Sequence, residues 1–159
     1  MANDYTLWSE ALDLSKDDDV RSEQEAWIRS VLMPSDEYDA DELDVPTAVG
    51  AHLTKMGVRA EQAQTEYWPD FDWKIENGYL WVYSEESGNL DNLAVFVQGF
   101  LAKFDPNGWF RIEWASTCSA PRIGSFGGGA MLVTAKQIRV MSTAQVASRL
   151  FDEARQEIA

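Results

Sequence analysis

The chain has 159 residues, enough to bury a core without disulfides or metal, and its 45% hydrophobic and 12% aromatic content excludes a wholly disordered polymer. Its 27 Asp and Glu against 13 Lys and Arg give a net charge of −14, which argues against direct contact with nucleic acid or with acidic membranes. Residues 1–66 hold 16 acidic against 5 basic side chains, whereas residues 109–159 hold 4 against 6.

In chain order, the N-terminus lacks the basic and then apolar pattern of a signal peptide, and no apolar run has the length of a membrane span. A soluble, cytosolic protein is expected. The lone Cys118 cannot form an intramolecular disulfide and suits a reducing compartment. Ser22 and Glu25 have capping-box spacing, and Trp27, Ile28, Val31 and Leu32 follow as a helical stripe closed by Pro34, so a helix is predicted over 23–33. The stretch 35–46 concentrates Asp36, Glu37, Asp39, Asp41, Glu42 and Asp44 and reads as a loop or one marginal turn. A second short helix is expected over 47–56, stopped by Gly57, with a connector over 61–69.

From Phe71 the period changes. Phe71, Trp73 and Ile75 alternate with Asp72, Lys74 and Glu76, and Asn77-Gly78 supplies a two-residue turn into Tyr79–Ser84. That turn fixes a register in which Leu80 and Val82 share the core face with Phe71, Trp73 and Ile75, leaving Tyr79, Trp81 and Tyr83 as an aromatic row on the other. Such rows stack bases in RNA-binding sheets, but the charge here opposes that use. The apolar residues Leu7, Trp8, Trp27 and Ile28 are expected to cover the row, and an exposed partner-binding surface of Tyr79, Trp81 and Tyr83 is the alternative. Asn89 caps a helix carrying Leu90, Leu93, Val97, Phe100, Leu101 and Phe104. A strand follows from Trp109, with Phe110, Ile112 and Trp114 inward, and one or two further strands lie within 130–141. Ser142 and Gln145 repeat the capping-box spacing ahead of a last helix striped by Ala147, Leu150, Phe151, Ala154 and Ile158.

The pattern predicts an α+β fold: an antiparallel sheet of four to five strands in ββαββα, ferredoxin-like order, with helices on one face. An acidic, mainly helical arm over residues 1–66 precedes this sheet domain of residues 67–159, the two forming one compact unit.

Between Glu113 and Ala130 lie Cys118, Arg122, Gly124, Ser125, Gly127, Gly128 and Gly129. Glycines expose peptide N–H donors and Arg clamps anions, which makes 122–130 a candidate loop for a small anionic ligand or nucleotide. Standard phosphate loops, however, run from strand into helix, and here the flanking elements are both strands. A bulged structural connection is the competing reading.

Cysteine catalysis by Cys118 would need a base such as the sole His52, and nothing in the sequence ties the two together. Asp17, Asp18 and Asp19, and Asp39-Ala40-Asp41, lack the spacing of a calcium loop, and no Cys/His cluster suits zinc. No cofactor or metal is expected, and an enzyme is the less favoured reading.

The run Tyr79-Leu80-Trp81-Val82-Tyr83-Ser84-Glu85-Glu86-Ser87-Gly88, with Glu113-Trp114-Ala115, Thr117-Cys118-Ser119, Pro121-Arg122 and Gly124 through Ala130, resembles a family of uncharacterised small acidic proteins of bacteriophages, prophages and plasmids. The resemblance covers residues 67–135. It implies a mobile-element accessory protein and assigns no activity to any residue. Together with the charge it leads to the expectation of an interaction protein that mimics nucleic acid. Asp36, Glu37, Asp39, Asp41, Glu42 and Asp44 would occupy a basic groove of a host defence or nucleic-acid-handling protein. A solubilising surface is the alternative account of the same charge.

Overall fold

In the computed structural model, residues 3–32, 69–120 and 122–158 are described. The acidic cluster Asp36, Glu37, Asp39, Asp41, Glu42 and Asp44, the helix expected over 47–56 and His52 lie outside the described residues. The elements are β1 (Asp4–Asp13), α1 (Asp18–Val31), β2 (Asp72–Glu76), β3 (Tyr79–Ser84), α2 (Leu90–Phe104), β4 (Trp109–Cys118), β5 (Gly127–Thr134), β6 (Ile138–Ser142) and α3 (Thr143–Ile158).

The fold is α+β, as the periodicity predicts, but the antiparallel sheet has six strands in the order β2-β3-β1-β4-β5-β6 rather than four to five. The additional member is β1. It lies between β3 and β4, pairing Leu12 with Leu80 and Trp8 with Ser84 on one side and Leu7 with Ala115 on the other. The start of the expected helical arm is therefore a central strand. Its alternation is masked because Glu10 sits on the inward row and Leu7 on the outward one.

The hairpin follows the expected register, from Glu76 opposite Tyr79 to Asp72 opposite Tyr83. Asn77 and Gly78 take φ of 52° and 80°, the left-handed pair that a two-residue turn requires of residues with small or absent side chains. Leu80 and Val82 are buried, whereas Trp73 and Ile75 on the edge strand are only partly covered.

Helix α1 begins five residues before the expected start. Asp17, not Ser22, is the cap: its carboxylate accepts from the amides of Asp19 and Val20, and Asp18 and Asp19 complement the positive end of the helix dipole. Ser22 instead donates to the Asp18 carbonyl inside the helix. Helix α2 is capped by Asn89 as expected. Between them, Trp27 meets Phe96, Phe100 and Phe104 at ring-centroid distances of 5.8, 5.9 and 5.8 Å. Ile28, Val31 and Leu32 join Leu93, Phe96 and Val97 in the fully buried set, each such side chain stabilising by roughly 1.5–3 kcal/mol.

Trp8, Leu80, Val82, Phe110, Ile112, Met131 and Val133 complete one core on the inner face of the sheet. The expectation that Trp8, Trp27 and Ile28 cover the aromatic row is thereby corrected. Their apolar surface finds α2 on the inner face, which leaves the row uncovered among the described residues.

The last helix also departs from expectation. Ser142 and Gln145 form the reciprocal capping box, amide to side chain at 2.9 and 3.3 Å. Yet no residue of α3 is buried.

Candidate interaction surface

The strand order converts polarity along the sequence into polarity across the sheet. β2, β3 and β1 form one half, and their outward rows carry Asp72, Lys74 and Glu76, then Tyr79, Trp81 and Tyr83, then Asp13 and Ser9. β4, β5 and β6 form the other half, whose outward rows carry Arg111 and Glu113, 3.9 Å apart, with Leu132 and Arg139 beyond them. The outward rows of the described strands are therefore acidic on the first half and near neutral on the second. Lys74 offsets one of these carboxylates: its ammonium lies 2.7 Å from Glu76, whose hydrogen bond and charge hold it protonated above the ordinary lysine range, and Asp13 and Asp72 keep the row acidic.

The aromatic row is ordered by short-range contacts. Trp81 and Tyr83 stack at 4.3 Å between centroids and 27° between planes, and the Trp81 indole N–H donates to Ser9 Oγ at 2.8 Å. Trp81 is 39% exposed and Tyr79 46% exposed. A rigid, amphipathic ring pair with one satisfied polar handle, bordered by Asp72, Glu76 and Asp13, has the composition of a protein-binding patch.

The candidate ligand residues divide between elements. Cys118 ends β4. Gly127, Gly128 and Gly129 are the opening of β5, paired with Ser116, Ala115 and Trp114. Their glycine character answers a packing demand: a Cβ on Gly128 would stand 2.3 Å from the Trp114 carbonyl oxygen. The Gly128 amide donates to Thr143 Oγ1 at 3.2 Å. Within the connection, Gly124 alone of the described residues has a positive φ, 77°, and Ser125 donates its amide to the Arg122 carbonyl at 3.3 Å. Consecutive amides aimed at one point, the geometry of an anion nest, are not formed by a strand.

Arg122 binds inward to the chain. Its guanidinium donates to Asp4 at 2.8 Å and to Cys118 Sγ at 3.4 Å. Hydrogen bonds from Cys118 and from Arg122 hold the Asp4 carboxyl below its ordinary range. Asn3 and Ser119 exchange two more bonds, at 2.8 and 2.9 Å, so the connection after β4 is tied to the start of β1. An incoming anion must compete with Asp4 for Arg122.

Among the described residues, no group of three or more His, Cys, Asp and Glu is placed to hold a metal ion, and no helix is long and apolar enough to cross a membrane.

Sequence reasoning missed two exposed apolar features. Ile123 and Phe126 project from the connection, and Val146, Leu150 and Phe151 line the open side of α3. The stripe on α3 was legible from spacing, but nothing local distinguishes a stripe that meets the chain's own core from one that does not.

No family model, curated protein or solved structure matches the chain.

Proposed function

We propose that this chain is a non-enzymatic interaction protein of mobile genetic elements. It acts in the bacterial cytosol as an acidic decoy for a basic, nucleic-acid-binding surface of a host protein. The observation that carries this reading is the separation of charge. The net −14 is not spread evenly along the chain: residues 1–66 hold 16 acidic against 5 basic side chains, and among the described strands Asp13, Asp72 and Glu76 border the stacked Trp81–Tyr83 pair. Clustered carboxylates draw the cationic grooves that bind phosphate backbones, and the ring pair supplies apolar contact area that charge alone lacks.

The ligand-binding alternative draws support from the glycine content and Arg122. Against it stand the ladder pairing of Gly127, Gly128 and Gly129 and the Arg122–Asp4 bond.

As for the framework, the order β2-β3-β1-β4 supports a ferredoxin-like core. In it α1 and α2 each join strands that flank a third, and β5, β6 and α3 are appended at the β4 edge.

The test is affinity capture from a bacterial lysate with two variants. One replaces Asp36, Glu37, Asp39, Asp41, Glu42 and Asp44 by Asn or Gln, and the other is Trp81→Ala. The intact chain is expected to retain a nucleic-acid-handling protein at low salt, to lose it as salt rises, and to displace DNA or RNA from it. The neutralised variant should bind at least about tenfold more weakly, given several charge pairs at roughly 0.2–1 kcal/mol each. Retention of the same partner by that variant, with unchanged salt dependence, would refute the role of the segment.

A further inference from the structure

The outward row of β3 contains a slot between Trp81 and Tyr79. In the strand register Tyr79 stands between Glu76 on β2 and Asp13 on β1, and Trp81 between Lys74 and Ala11. Directly opposed side chains have Cβ atoms about 4.5–5.5 Å apart and diagonal ones about 7–8 Å, within reach of aromatic and long side chains. Tyr83 stacks on one face of Trp81, so the other face of that ring is turned along the strand toward Tyr79. The bond from the indole N–H to Ser9 Oγ fixes the ring, yet Trp81 remains 39% and Tyr79 46% exposed. Ala11 is itself exposed and carries only a methyl group, so no bulky side chain of β1 separates the free ring face from Asp13.

The charges around the slot are unequal. Lys74 and Glu76 satisfy each other at 2.7 Å, whereas Asp13 pairs with no cation among the described residues. Two aromatic walls and one uncompensated carboxylate result. Two kinds of planar group stack on such rings, nucleobases and guanidinium ions. Bases arrive with phosphates, which an acidic surface repels. A guanidinium is positive, planar and weakly hydrated, and its N–H fork lies in the plane that stacks, so it can rest on Trp81 while donating two bonds to one carboxylate. A lysine ammonium meets the same charge but is strongly hydrated and has no face to stack.

We propose that this slot binds an arginine side chain of the partner, with the guanidinium against the free face of Trp81 and its N–H fork on the Asp13 carboxylate. The inference deepens the decoy reading, on which the existence of a basic partner rests, by naming that partner's anchoring residue. The two fail separately. Capture of a host protein through the acidic cluster at 36–44 without any preference for arginine keeps the decoy and removes the slot. Arginine preference in a chain that captures no host protein does the reverse.

The test is isothermal titration of the full-length chain, at low salt, with two end-blocked peptides of equal charge, hexa-arginine and hexa-lysine. Carboxylates elsewhere attract both, so the part of the preference that depends on Trp81 isolates the slot. The wild type is expected to bind hexa-arginine about fivefold more tightly than hexa-lysine, the worth of one exposed cation–π contact. Trp81→Ala should bring the ratio to about one, and Asp13→Asn should reduce it at least about twofold. Asp72→Asn removes the same charge beside Tyr83, outside the slot, and should leave the ratio unchanged. Circular dichroism checks the fold of each variant, and the isosteric Asp13→Asn and Asp72→Asn pair decides the question if Trp81→Ala unfolds. Equal affinities of the wild type for the two peptides overturn the proposal. So does a preference that survives Trp81→Ala in the folded protein, or one that responds equally to the two Asp changes.

Discussion

Asp70 shows at a single residue how backbone and charge act together. It precedes β2 with φ of 52°, in the left-handed region that Asn occupies more readily than most residues, and burial raises its carboxyl above the ordinary range. A raised carboxylate pKa means that the folded state favours the neutral form. The stabilisation is full below the unfolded pKa and is lost as pH rises through the folded one. Asp70→Asn, neutral at every pH, is therefore expected to raise the melting temperature at pH 7 and to give progressively less gain as the pH falls below the carboxylate range. Thermal melts at several pH values measure this directly, and a gain independent of pH would place the effect in the backbone alone. Asp4 has the opposite sign. Its lowered pKa gives stabilisation that is present above the ordinary carboxylate range and disappears in acid. This bond was not legible in the sequence, because Arg122 and Asp4 are 118 residues apart and only the pairing of β1 with β4 brings them together.

At the level of elements, what could be read locally was read. The hairpin announced itself through Asn77-Gly78 and strict alternation, α2 through Asn89 and its stripe, and α3 through Ser142 and Gln145. Strand β1 did not, because a central strand with Glu10 facing inward and Leu7 outward lacks the period that reveals an amphipathic one. The start of α1 was misplaced for a different reason. Three consecutive aspartates look like solvated surface, whereas Asp17 is the cap and the next two its favourable first turn. The contact that unites α1 with α2 is aromatic, so Trp27→Ala is expected to cost about 3 kcal/mol, with its partly covered position holding the loss to the low end for Trp. Urea denaturation with an unchanged m-value would measure it. A loss below about 1 kcal/mol would mean that α2 closes over the site without Trp27.

Across the whole molecule, the acid is both a surface property and a strain on the fold. Like charges within a Debye length of about 10 Å at 0.1 M salt repel, and −14 on 159 residues leaves many such pairs. Stability is expected to rise with sodium chloride between low and moderate ionic strength, as melting temperature would show. An acidic chain whose stability ignored salt would have its carboxylates spaced beyond mutual reach. Composition made the charge visible at once. For the described strands, the sheet order determines where the charge lies, and that order depends on pairings between segments far apart in sequence.

The central place of β1 also sets the schedule of folding. The chain's first strand is synthesised before either neighbour, and its pairing with β4 waits for residues 115–118, more than 100 positions later. Such long-range closure is slow relative to helix formation, whereas β3 is available to β1 much earlier in synthesis. Joining the two halves of the sheet is thus a late event. A chain trimmed of its first 13 residues would lose the bridge between the two halves, β2-β3 on one side and β4-β5-β6 on the other, rather than a dispensable tail.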